Sequence, residues 1–121
     1  MRAGTAHAAY LADVYRLADI RVVAVASETE ALEALAAGRA DFAFGDARLL
    51  YGLLDRDFAG RGLRFVGEAV DAPRHFGAGA GITFRRDDAD LGRQIDRALT
   101  DLDRDGSLDR LVGRWFPFAI R

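Results

Sequence analysis

Short apolar runs and capped amphipathic segments alternate along this chain, and that alternation limits the folds open to it. The stretch "RADFAFGDARLLY" (39–51) shows the pattern. Ala40, Phe42 and Phe44 recur at every second position, the period of a half-buried strand. Gly45-Asp46 breaks the run, and Leu49, Leu50, Leu53 and Leu54 follow at helical spacing on one side. An acidic residue therefore stands where a strand ends and a helix begins. Asp is a favoured N-cap. The carboxyl end of a strand is also where open α/β sheets place their ligands.

The same grammar recurs elsewhere. Thr5 can cap a helix from about Ala6 to Leu17. "IRVVAVA" (20–26) is β-branched and almost wholly apolar, which suits a strand covered on both faces. Ser27 with Glu30 is a capping box. It opens a helix with Ala31, Leu32, Leu35 and Ala36 on one face, stopped by Gly38. "LRFVG" (63–67) and "ITF" (82–84) read as short strands, and "EAVDAPRHFGAGAG" (68–81) as an irregular glycine-rich link. Asp88 is placed to cap a long helix to about Arg104, with Leu91, Ile95, Ala98, Leu99 and Leu102 inward. Asp105-Gly106 is a turn, and Ser107 caps a last helix that carries Leu108, Leu111, Val112 and Trp115. Strand-helix alternation of this kind implies βαβ units, hence an α/β fold with a mainly parallel sheet flanked by helices. No strand precedes Thr5, where a doubly wound sheet would normally have one.

Composition removes several classes of function. The 121 residues are 50% hydrophobic and 30% charged, enough for one folded core. The net charge of −2 offers no electrostatic case for nucleic acid or an anionic membrane. All 17 basic residues are Arg. There is no Cys, so disulfides, thiolate catalysis and Cys-based zinc sites are excluded. No apolar run approaches the roughly 20 residues of a membrane span, so no direct membrane insertion is expected. The N-terminal stretch lacks the uninterrupted apolar core of a signal peptide. His7 and His75 are far apart in sequence and have no metal-ligand spacing, so no metal site is expected. Ser27 and Ser107 both fall at helix starts, leaving no nucleophile for a triad. "FGAGAGITF" fits neither a dinucleotide fingerprint nor a P-loop, and no cofactor is expected. Tyr51 and Trp115 read as packing aromatics.

Three stretches, in order and spacing, resemble the extracellular solute-binding protein family 3, the periplasmic amino-acid-binding proteins of ABC importers. They are "AGTAHAAYL" (3–11), "EALEALAAGRADFAFGDARLLYGL" (30–53) and "FGAGAGITFRRDDADLGRQIDRALTDLDRDGSLDRLVGRWF" (76–116). Members of that family are two lobes joined by a hinge. The resemblance implies that this chain corresponds to the second half. Residues 1–76 would be lobe two without its first strand, 77–86 the hinge crossover, and 87–121 the C-terminal helices that normally pack on lobe one. It implies a non-enzymatic role: binding a small-molecule amino acid and delivering it to the membrane permease of an ABC importer, in a periplasmic or extracytoplasmic setting.

The resemblance also implies site residues. Asp46 falls on the position that accepts the ligand's ammonium. Thr5, Ala6 and His7 fall on the helix-start turn that meets its carboxylate and side chain. Ala6 stands where Thr or Ser is usual, which removes a hydroxyl. The Arg that clamps the carboxylate belongs to lobe one and has no counterpart here. Burying a zwitterion costs several kcal/mol per ion unless each charge is paired, so weak binding or none is expected of this chain alone. Two other readings stay open. One is an enzyme on the same scaffold, similar to cyclohexadienyl dehydratase, for which Glu68 and Asp71 are the candidate additional acids. The other is an interaction fragment that homodimerises through the C-terminal helices at Leu99, Leu111 and Trp115.

Overall fold

The computed structural model of the chain describes residues 1–77, 79 and 81–118. Its residues divide into two compact units, Met1–Ala78 and Gly79–Arg121. The first holds α1 (Ala6–Val14), α2 (Glu28–Ala36), α3 (Ala47–Arg56) and α4 (Pro73–Phe76). The second holds α5 (Ala89–Arg104) and α6 (Ser107–Val112). The crossover expected over 77–86 includes residues 78 and 80, and the chain end includes 119–121, all outside the described residues.

Helix starts follow their caps. The Thr5 hydroxyl accepts from the N–H of Ala8 and opens α1. At α2 the Ser27 hydroxyl accepts from the N–H of Glu30 at 3.1 Å. The Glu30 carboxylate reaches back to the N–H of Ala26 at 2.8 Å, one residue earlier than in a standard capping box. Asp46 opens α3, the helix expected from the leucine spacing after Gly45-Asp46. After α2, Gly38 takes φ +69°, a left-handed value that favours glycine.

The core of the first unit is small. Leu32 of α2, Leu50 of α3 and Phe58 beyond α3 pack together, with Leu35, Ala43, Leu53, Leu54 and Leu63 partly buried around them. The Arg61 guanidinium covers the outer face of Phe58 at 4.9 Å from the ring centroid. The expected stripe on α3 is shifted: Leu49 is 54% exposed, whereas Leu50 is buried.

The expected parallel sheet is not formed among the described residues. The runs at 20–26, 40–44, 63–67 and 82–84 take no regular strand structure. One isolated parallel bridge joins Arg2 and Val25. Around it the N–H of Ala3 donates to the Val25 carbonyl at 2.8 Å, and the N–H of Val25 to the Met1 carbonyl at 3.1 Å. The sequence reading has no strand before Thr5, so this pairing is an addition to it. The physical reason for the missing sheet lies in pairing. A β-branched run becomes a strand only where neighbours take its N–H and C=O groups and cover its side chains. Here Ile20, Val22, Val23, Phe65 and Val66 remain exposed.

In the second unit α5 and α6 touch, but the amphipathic stripe is largely open. Leu91, Leu99 and Leu102 are exposed, and the buried residue of α5 is Gly92. Two expected caps differ. Asp88 sits at the N-cap position of α5 without a side-chain cap bond, and its carboxylate lies 4.0 Å from Arg85. The N-cap of α6 is Gly106, with φ 72°, and Ser107 is the first helical residue. The Asp105 carboxylate takes the N–H of Ser107 at 2.8 Å, and its contacts with Ser107 hold it below the usual carboxylate range. Trp115, expected to pack, is 71% exposed.

Candidate functional site

Two helix starts of the first unit carry the residues singled out by sequence. Thr5, Ala6 and His7 form the entrance to α1. The Thr5 hydroxyl is used both ways, accepting from Ala8 and donating to the Arg2 carbonyl at 2.9 Å. The N–H groups of Ala6 and His7 belong to the first turn, which an α-helix leaves without internal acceptors. Such groups favour an anion. Asp46 opens α3, and its carboxylate is partly exposed beside Arg48.

Phe44 links the two. Its ring meets the His7 imidazole edge-on at 5.5 Å and the Tyr10 ring at 5.6 Å. The first turn of α1 is therefore held against the segment that leads through Gly45 into Asp46. Phe76 of α4 closes the group, at 5.1 Å from His7 and 5.3 Å from Tyr10. His75 packs on Tyr10 at 5.3 Å. The Tyr10 phenol is pushed above its ordinary value, first by partial burial and then by neighbouring Tyr15.

This cluster was missed from the sequence. His7 and Tyr10 are three apart in a helix and share a face, which was available as a signal. His75 and Phe76 lay in a stretch expected to be irregular. It instead makes the single turn of α4, with Pro73 at a helix start, where its missing N–H does no harm. His7 is half-buried in the cluster, not a plain surface residue.

Asp46 has a dense set of donors. Its Oδ1 accepts from the N–H of Arg48 at 2.8 Å and of Leu49 at 3.4 Å, satisfying two groups of the α3 start. The Arg48 side chain adds a fork, Nε to Oδ1 at 3.2 Å and Nη2 to Oδ2 at 2.7 Å. The Arg48 guanidinium, above all, holds the Asp46 carboxyl down to about 2 against the smaller upward pull of burial. The carboxylate in turn strengthens the charge on Arg48. Arg48 was not singled out from the sequence. An Arg two residues after a helix-capping Asp is the pattern that could have found it.

Glu68 and Asp71 are exposed. Among the described residues no group of His, Cys, Asp or Glu is arranged to hold a metal, and no helix is long and apolar enough to cross a membrane. Two shallow concavities lie in the second unit. One follows Asp96, Arg97, Thr100, Asp101 and Arg104, and the other Thr83, Phe84, Arg85, Asp88, Leu91 and Ile95. Neither includes the α1 or α3 start.

No protein-family model matches the chain. Known proteins do. The chain is 32% identical over 117 residues to the lysine/arginine/ornithine-binding periplasmic protein of Escherichia coli, covering 97% of this chain and 45% of that protein. It is 34% identical over 104 residues to the L-arginine-binding protein of Pseudomonas aeruginosa, covering 85% of this chain and 40% of that protein. It is 28% identical over 101 residues to the histidine-binding periplasmic protein of Salmonella typhimurium, covering 84% and 39%. The chain thus spans less than half the length of the curated relatives it matches. The similarity to periplasmic amino-acid-binding proteins read from the sequence holds along nearly the whole chain.

Proposed function

We propose that the chain is part of the amino-acid-binding component of an ABC importer and does no catalysis. One observation carries the reading. A chain similar over 97% of its residues to an amino-acid-binding protein holds an anion-favouring helix start and an acidic helix cap, joined by the His7–Phe44 contact. In this reading Asp46 accepts the ammonium of the ligand. The N–H groups at Thr5, Ala6 and His7 face its carboxylate, with no hydroxyl from Ala6. The ligand class is an amino acid with a cationic or imidazole side chain, in keeping with the names of the relatives.

Residues 1–76 are assigned to the second lobe of a two-lobed binding protein, 77–86 to the crossover, and 87–121 to helices that rest on the first lobe. The setting is the periplasm and the partner a membrane permease. The exposed face of Leu99, Leu111 and Trp115 is assigned to a protein contact, a second copy of this chain where no first lobe is present. Light scattering that gives a clean monomer at high concentration removes that part.

The test is an NMR titration of the chain with L-arginine, L-lysine and L-histidine. The expected result is weak, dose-dependent shifts at the amides of His7, Phe44 and Asp46, lost in Asp46→Asn. Asn keeps the cap, so that loss reads charge and not folding. Shifts that persist in the variant, or none at all, overturn the ligand role of Asp46. Micromolar affinity overturns the expectation that half of the pairing groups are lacking.

A further inference from the structure

We infer that Arg48 is a built-in competitor for Asp46: its guanidinium occupies the carboxylate face that a ligand ammonium needs, and binding must lift it away. The inference rests on the reading of Asp46 as ammonium acceptor proposed above. It makes Arg48 a residue that sets affinity and filters charge.

A carboxylate has about four lone-pair sites. At Asp46 four described donors converge, three on Oδ1 and one on Oδ2. Two are backbone N–H groups of the α3 start, both on Oδ1, and two come from the Arg48 fork. An ammonium brought to Oδ2 meets the like charge of the guanidinium already seated there at 2.7 Å, so the two compete for that oxygen. The backbone bonds are fixed by the helix, and breaking them uncaps α3. The Arg48 fork is not fixed in that way. Its side chain is 49% exposed, and it leaves from a turn already in solvent contact. The guanidinium is planar, so its two bonds are made and lost together.

The two oxygens then differ. With Arg48 gone, Oδ1 keeps both cap bonds, and Oδ2 loses its described partner. Oδ2 is where the ammonium lands. The helix start stays capped throughout, so the exchange costs no local unfolding. It also selects. A neutral amide or hydroxyl brings no charge to replace the guanidinium and leaves the Asp46–Arg48 pair closed. A cation exchanges one charge-assisted pair for another.

The experiment titrates the chain, Arg48→Ala, Arg48→Gln and Asp46→Asn with L-arginine by NMR. In parallel it follows the Asp46 carboxyl carbon against pH. Both Arg48 variants should bind L-arginine about two- to fivefold more tightly than the parent, the effect expected of an exposed ion pair. Their Asp46 midpoints should move up from about 2 towards the ordinary carboxylate value. Equal or weaker binding by both variants, with binding still lost in Asp46→Asn, overturns the competition and leaves the function standing. Binding unaffected by Asp46→Asn, or absent from every protein, overturns the function and the competition with it. An Asp46 midpoint that ignores Arg48 overturns the competition whatever the binding shows. Arg48→Gln keeps the stem of the side chain and guards against a packing effect peculiar to Ala.

Discussion

Nε2 of His75 lies 3.2 Å from Oδ2 of Asp13, which ties the single turn of α4 to the last turn of α1. The contact is uneven. The His75 side chain is 19% exposed and that of Asp13 is 74% exposed, so water competes well for the carboxylate. A solvent-exposed polar contact of that kind is worth about 0.5 kcal/mol. The ring contacts of His75 with Tyr10 and Phe76 carry more of the attachment. His75→Ala should therefore destabilise the chain by about 1–2 kcal/mol, and His75→Phe by well under half of that. Urea unfolding followed by circular dichroism measures both. Equal losses would show that the contact with Asp13, not the ring, holds α4.

Asp46 makes stability depend on acid. Its folded-state value is held at about 2, while an unfolded Asp titrates near 3.9. Between those values the unfolded chain binds more protons, so stability falls as pH drops. The contribution is complete above about pH 5 and disappears as pH passes down through about 2. Water screening of the partly exposed pair reduces it to about 1 kcal/mol. Asp46→Asn keeps a capping side chain but cannot titrate. Across that window the parent should lose stability relative to the variant, read from urea midpoints at a series of pH values. Parallel profiles would mean that the Arg48 fork is absent in solution.

What was legible in the sequence follows from what is local. Thr5, Ser27 and Asp46 announce helix starts because a cap bonds to an N–H two or three residues away. The α3 bounds at 47–56 follow from that and the leucine spacing. Asp88 and Ser107 carry the same residue types, yet Asp88 makes no cap bond and Gly106 takes the cap position of α6. Residue preference marks the neighbourhood of a helix start, and geometry chooses the residue. The strands at 20–26, 40–44 and 63–67 were read from apolar composition and alternation, but a strand is a relationship between segments. Among the described residues one bridge, Arg2 to Val25, is made. The aromatic cluster was illegible for the same reason. His7, Phe44 and Phe76 meet only after the chain has turned twice. At the candidate site Asp46 and Thr5 could be singled out by resemblance, whereas the resemblance gives Arg48 no role and only its spacing from the Asp46 cap marks it, because its importance lies in where its side chain folds back.

The core of the first unit is narrow enough for one residue to matter. Leu32 is 3% exposed and packs with Leu50 and Phe58, so it couples α2 to α3. Leu32→Ala should cost about 2–4 kcal/mol through lost transfer energy and the cavity left behind. Leu49 neighbours Leu50 in sequence but is 54% exposed. Leu49→Ala should stay within about 0.5 kcal/mol. Denaturant melts of the two variants separate these cases. Similar losses would place Leu49 in the core, as the helical spacing first implied.

Gly92 inverts an ordinary rule. In a helix, Gly→Ala usually gains up to about 1 kcal/mol. In α5 the Phe84 ring lies directly on Gly92, and a Cβ built there overlaps the ring carbons Cζ, Cε1 and Cε2. Phe84 is 48% exposed, so the ring has room to swing aside, but it then gives up its contact with the helix. Gly92→Ala should destabilise the chain by about 1–3 kcal/mol, the usual cost of overpacking. With Phe84→Ala already in place the obstacle is gone, and adding Gly92→Ala should then stabilise. The sign change between backgrounds is the coupling a double-mutant cycle measures. It separates contact with the ring from any general effect on α5. Urea unfolding of the parent, the two single variants and the double variant gives the result. A gain from Gly92→Ala in the parent background would mean that Phe84 does not rest on the helix.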